Sequence, residues 1–198
     1  MIESFTNRIN NAFYLYDIFL TCLLIGNVSH AQDLLLQLST EIGGDKLTKV
    51  SYTNGETDSI RADGLIHLAI GTTFATAPES SPSLETQFTV GWKFDNSGAK
   101  NGEISWTRYP VELLQFYTNE KWRLGAGLTY HLRPTLKSKG VVDGINVNFD
   151  DALGLVFEVD YINSGKNYIG ARVVLIDYQI EDTSVDGNSI GIVLGFRP

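Results

Sequence analysis

The sequence predicts an all-β fold, an eight-stranded antiparallel up-and-down transmembrane β-barrel with a polar packed interior. Three observations predict it. Beyond residue 31, apolar residues recur at every second position in eight segments, the period of a strand with one apolar face. The opposite face carries charge and glycine, which fits a polar lumen. Aromatic residues collect near the segment ends, as they do at the two interfaces of a bilayer. Residues 122–133 are the clearest case. Trp122, Leu124, Ala126, Leu128, Tyr130 and Leu132 alternate with Arg123, Gly125, Gly127, Thr129, His131 and Arg133.

The chain has 198 residues, enough for one domain. Residues 1–31 differ from the rest. Arg8 lies in a polar start, residues 18–28 form an apolar run, and Ser29-His30-Ala31 offers small residues before a cut. This pattern predicts a secretory signal peptide over 1–31 and a barrel domain over 32–198. Cys22, the single cysteine, falls inside the leader, and Thr21 before it does not suit lipoprotein processing. Beyond the leader neither disulfides nor a thiolate metal site is expected. Losing Arg8, Glu3 and Asp17 takes the 15 bases and 23 acids to 14 and 21, a balance of −7. That argues against nucleic acid as a partner. No later stretch is long and apolar enough for a transmembrane helix, so a membrane protein here must be a closed barrel.

The first strand is predicted over 33–42, with Leu34, Leu36, Leu38 and Ile42 out and Gln37, Ser39 and Glu41 in. A long polar loop follows, to about Asp63. The second strand, 64–75, sets Ile66, Leu68, Ile70 and Phe74 against His67, Ala69, Gly71 and Thr73. The third, 84–95, sets Leu84, Phe88, Val90, Trp92 and Phe94 against Glu85, Gln87, Gly91 and Lys93. The fourth starts near Gly102 with Ile104 and Trp106 out, then changes phase so that Tyr109, Val111 and Leu113 are out and Arg108 and Glu112 in. Proline cannot donate to the ladder, so Pro110 predicts a β-bulge at the change.

The fifth strand is 122–133, and residues 134–148 read as a loop. The sixth, 149–162, places Glu158 and Asp160 inward. The seventh, 167–181, has Gly170 and Arg172 in and a second phase slip near Asp177. The eighth, 189–197, has Ile190, Ile192, Leu194 and Phe196 out and Arg197 in. The strands match the about 9–11 residues of a tilted crossing. Counted up and down, Phe74, Tyr117, Trp122, Tyr161, Tyr168 and Phe196 fall near one rim, and Phe94, Trp106, Tyr130 and Tyr178 near the other.

On these features the chain resembles the small eight-stranded outer-membrane barrels of the OmpA, OmpX and OmpW type. The resemblance covers the whole mature chain and implies residence in the outer membrane as a monomer. Its implied partners are outer-membrane lipids, lipopolysaccharide and the barrel assembly machinery. It departs in one place: such chains usually end on an aromatic residue, whereas Phe196 is followed here by Arg197 and Pro198.

The residues predicted to face inward with charge are Glu85, Lys93, Glu103, Arg108, Glu112, Arg123, His131, Glu158, Asp160 and Arg172. Buried charges must be paired, and eight strands leave an interior about wide enough for side chains. The expected lumen is therefore a salt-bridged plug, and the expected role is structural, adhesive or one of envelope contact, without catalysis or cofactor. One alternative is a passive channel for small or apolar solutes. An enzyme that modifies lipid A would need the His and Ser two residues apart found in outer-membrane deacylases. His131 is followed at that spacing by Arg133, and His67 by Ala69. A soluble lipocalin-like carrier would have to place Lys93, Arg123 and Glu158 outside. The oxygen-rich segment 143–151 lacks the spacing of a calcium loop. Arg133, Lys137 and Lys139 are candidates for lipopolysaccharide phosphates, although a solvated loop is the commoner arrangement.

Overall fold

The structure, a computed structural model, describes residues 32–51, 57–63, 65–76, 82–99, 102–140, 146–163 and 167–198. The expected leader, with Cys22, lies outside the described residues. The described residues form twelve strands in chain order. These are β1 (Gln32–Gly43), β2 (Lys46–Ser51), β3 (Thr57–Arg61), β4 (Ile66–Thr76), β5 (Ser83–Ala99) and β6 (Gly102–Thr118). They are followed by β7 (Trp122–Gly140), β8 (Asn146–Asn148), β9 (Ala152–Ile162), β10 (Tyr168–Ile180), β11 (Thr183–Asp186) and β12 (Ser189–Phe196).

Eight of them, β1, β4, β5, β6, β7, β9, β10 and β12, pair antiparallel in sequence order, and β12 returns to β1. The closed ladder leaves no edge, so every strand's backbone groups can bond to a neighbour. The outer face is apolar over its whole circumference: Leu36, Leu68, Ile70, Val90, Leu124, Leu155, Phe157, Ile169 and Ile192 are all exposed. Lys93, Arg123 and Arg172 are buried inside. This inverts the soluble carrier, whose greasy face would fill the centre. A closed antiparallel barrel with such an exterior is a membrane-spanning barrel of the outer-membrane type of fold, because only hydrocarbon tolerates that surface.

The remaining four strands extend one end, the upper mouth. The first long connection, expected as a polar loop, contains the hairpin β2–β3. β8 pairs with the upper part of β7, and β11 with the upper part of β10. Much of the expected loop 134–148 is therefore strand.

The predicted changes of phase are corrected. In β6 the even positions Ile104, Trp106, Arg108, Pro110, Glu112, Leu114 and Phe116 are all buried, without interruption. In β10 the even positions from Tyr168 to Tyr178 point in throughout, Gly170 being half-buried, and Asp177 marks no slip. What changes along these strands is the polarity of the lumen, which becomes apolar at its upper end. The alternation itself is continuous. Pro110 keeps its register: the ladder to β5 omits Tyr109 and Pro110 against two residues opposite, then resumes.

The bulge lies across the barrel wall instead. Thr107 pairs with Thr135 and Tyr109 with Leu132, so Arg133 and Pro134 of β7 together oppose Arg108. Arg133 is left-handed, with φ 49°. An extra residue turns the strand over, so Leu136 and Ser138 are buried while Arg133, Lys137 and Lys139 are exposed.

The aromatic girdles are corrected accordingly. Phe74, Tyr117, Trp122, Tyr161 and Phe196 do lie exposed near the lower rim, with Trp122 and Tyr161 edge-to-face at 5.2 Å. Tyr168, Trp106 and Tyr178 are buried in the lumen. Trp92 and Phe94, stacked at 4.3 Å, and the exposed Tyr109 form the upper girdle.

Two inward glycines make room for rings. The Tyr168 ring occupies the space a Cβ on Gly195 would need, and the Phe116 ring does the same at Gly125. Gly195→Ala is expected to cost about 1–3 kcal/mol, the usual range for overpacking. The check is denaturant unfolding in detergent micelles; an unchanged midpoint would mean that the Tyr168 ring moves aside freely.

Candidate functional site: the lumen

The lumen has three layers. The upper one is apolar and aromatic. Trp106 packs edge-on against Phe149 at 5.1 Å and Tyr178 at 5.4 Å, with Ile60, Ala62 and Leu136 buried in the same cluster. Its geometry follows from the β7 bulge. Pro134 has no N–H to place in the ladder, and its carbonyl accepts the Phe149 amide at 2.9 Å. This seats the ring over the opening. From above, the segment after β3 folds into the mouth. The Trp106 indole donates to the Ala62 carbonyl at 2.7 Å, and Asp63 is fully buried.

The middle layer is ionic. Lys93 donates to Glu41 and to Asp63, each at 2.6 Å. The Arg108 guanidinium sits 3.7 Å from Asp63 and lies over the rings of Trp106 and Tyr178, at 5.3 and 5.7 Å, a cation–π arrangement. Burial is the largest influence on Asp63 and raises its pKa above the usual carboxylate value, against the pull of Lys93. Arg172 spans the barrel. From β10 it donates to Glu112 of β6 at 2.7 Å, and its Nε lies 3.4 Å from Glu41 of β1. Glu158 of β9 is 3.7 Å away. Glu41 also accepts from Ser39 at 2.8 Å and Ser189 at 3.1 Å.

The lower layer is built on Arg123. It donates to Asp160 at 2.9 Å, Glu85 at 2.7 Å and Gln87 at 2.8 Å. Its guanidinium lies 3.8 Å from the Phe116 ring centroid and 4.4 Å from that of Tyr168. Arg197 grips Glu85 with two bonds, at 2.7 and 2.8 Å, the forked geometry that makes arginine–carboxylate pairs strong.

Of the ten charges predicted to face inward, nine are buried in these layers. Glu103 is not: it is exposed and accepts from Asn96 at 2.8 Å, because upper β6 points Ile104 and Trp106 inward in its place. Sequence reasoning left out Asp63, Glu41 and Arg197. Glu41 and Arg197 stand on correctly assigned inward faces and could have been included. Asp63 gave no periodic signal, since it arrives from a loop.

His131 pairs with the Tyr178 hydroxyl at 2.6 Å. His67 lies 3.4 Å from the Ser39 hydroxyl, but that hydroxyl donates to Glu41, and all three groups are buried. A serine nucleophile needs a base and access to substrate. Ser39 faces the packed centre, away from lipid and water alike. Among the described residues no group of three or more His, Cys, Asp or Glu side chains could hold a metal ion.

No protein-family model matches the chain, and no curated protein matches it. Solved structures similar in shape include the following three. The attachment invasion locus protein Ail of Yersinia pestis is 10% identical, with a TM-score of 0.43, 85% of this chain and 100% of that one covered. Neisserial surface protein A is 11% identical, with a TM-score of 0.43 and the same coverage. Ail in complex with the heparin analogue sucrose octasulfate gives 10% and 0.41, again with that coverage. The fold assignment stands on the closed ladder of this chain itself.

Proposed function

We propose that this outer-membrane barrel is closed, and that it serves the cell envelope through the hairpins it raises above the membrane, without conducting solutes or catalysing a reaction. The observation that carries this reading is the lumen's cross-bracing. Arg172 ties β10 to β1 and β6, Arg197 reaches Glu85 from the far wall, and the aromatic lid lies above both. A solute would have to break several buried ion pairs to pass. The exposed Arg133, Lys137 and Lys139 stand on β7 above Tyr130, a height at which lipopolysaccharide phosphates are the natural acceptors.

The test is electrical. The purified barrel in planar bilayers is expected to show no steady single-channel current at moderate voltage. A reproducible conductance in the unaltered protein would replace this reading with the passive channel. Lipid A from cells with and without the protein is expected to have one mass; a lost or added acyl chain would make the protein an enzyme.

A further inference from the structure

The hairpins at the outer mouth enclose a crevice of about 470 Å³, within the usual range for a small-molecule pocket and far below what a folded partner needs. Six apolar side chains line it: Leu47 of β2, Leu136 of β7, Val147 of β8, Phe149, Ile180 of β10 and Val185 of β11. They stand above the upper girdle, on the side of the aqueous exterior, so bilayer tails do not cover them.

The walls are pinned before any ligand arrives. The Asp45 amide donates to the Asp186 carbonyl at 2.7 Å, and the Asp186 amide returns to the Asp45 carboxylate at 3.2 Å. Gly44 is tied to Asn188, and Asp150 to Gln179. The floor is Phe149, packed on Trp106, so no ionic group meets the inner end of a ligand. The rim is different. It carries Asp45 and Lys46. One oxygen of the Asp45 carboxylate accepts the Asp186 amide at 3.2 Å, whereas Lys46, exposed, has no ion-pair partner among the described residues. An apolar pocket with a lysine at its edge that has no ion-pair partner among the described residues fits one kind of guest.

We propose that this crevice binds a single-chain anionic amphiphile of the fatty-carboxylate class, tail against Phe149 and head at Lys46. The guest enters from the aqueous side. The proposal rests on the reading of the barrel as one whose hairpins face outward, but not on whether the lumen conducts.

Trp106, beneath the floor, supplies the readout. Trp92→Phe and Trp122→Phe remove the two lipid-facing tryptophans and leave Trp106 alone of the three. The full-length barrel carrying both changes, in lipid nanodiscs, is titrated with a terminally brominated dodecanoate, whose bromine quenches indole at close range. Saturable quenching is expected. Lys46→Glu is expected to weaken the apparent affinity roughly tenfold, the effect of losing one charge-assisted pair. Val185→Glu and, independently, Leu47→Glu are expected to abolish it, each with heat-modifiable gel mobility retained as proof of folding. A brominated phospholipid placed in the nanodisc is expected to leave Trp106 unquenched. No quenching by the dodecanoate, quenching that never saturates, or equal quenching by the phospholipid would overturn the proposal. A conductance in planar bilayers would end the closed-lumen reading and leave this one standing.

Discussion

Arg172→Met is expected to lower the barrel's unfolding free energy by about 3–5 kcal/mol, the cost of removing one partner from a buried ionic cluster. Arg172 is buried and serves Glu41, Glu112 and Glu158 at once. Methionine fills much of the volume, so the loss is electrostatic and not a cavity. The three carboxylates would share a core in which only Glu41 still has a cation, Lys93. Arg172→Met combined with Glu112→Leu should recover part of the loss, because the pair is then removed whole. The measurement is reversible denaturant unfolding from lipid vesicles. A loss below roughly 1 kcal/mol, the range of exposed ion pairs, would mean that the centre is wet and that the cross-bracing does not hold it.

Ile70→Arg carries the second large effect and tests where the barrel sits. Ile70 is 49% exposed on β4 and pairs with Leu36 and Val90 on its two sides. It lies between Phe74 at the lower rim and Ile66 at the upper end. A cation facing lipid near the midplane costs about 2–4 kcal/mol, whereas on a soluble surface the same change stays within roughly 0.5 kcal/mol. Ile70→Leu is the control for packing. Unfolding in vesicles is again the readout. If Ile70→Arg unfolds like Ile70→Leu, the outer face is not in hydrocarbon.

The alternation was read correctly wherever the lumen is polar. In β1, β4, β5, lower β7, β9 and β12 each side chain took the face assigned to it, because charged, polar or small residues on the inner side contrast with large apolar residues on the outer side. The reading failed where both faces are apolar. Ile104 and Trp106 faced inward although they look like lipid-facing residues, and Tyr168 and Tyr178 left the girdles for the lumen. Polarity cannot tell in from out when a plug and a bilayer are equally apolar. Geometry can, and it does not slip: β6 alternates without a break past Pro110. Among the described residues of the eight barrel strands, the inversion is at Arg133 and Pro134, where a residue with φ 49° absorbs the bulge. The proline was the right kind of signal read on the wrong strand.

Within the site, the inward charges were legible one strand at a time, but their partners were not. Nothing in the spacing of Arg172 pairs it with Glu112, 60 positions away, since that contact depends on the barrel's stagger and diameter.

By itself the sequence determined the number of crossings, the face turned to lipid wherever the opposite face is polar, and the demand that a polar interior neutralise itself, because these follow from a period of two and from the cost of charge in hydrocarbon. Only the tertiary structure decided which charges meet, that Asp63 and Phe149 arrive from loops to close the mouth, and that six apolar residues from separate hairpins converge above it. Those are contacts between segments distant in the chain. Closure of the barrel brings them together, and local periodicity carries no record of it.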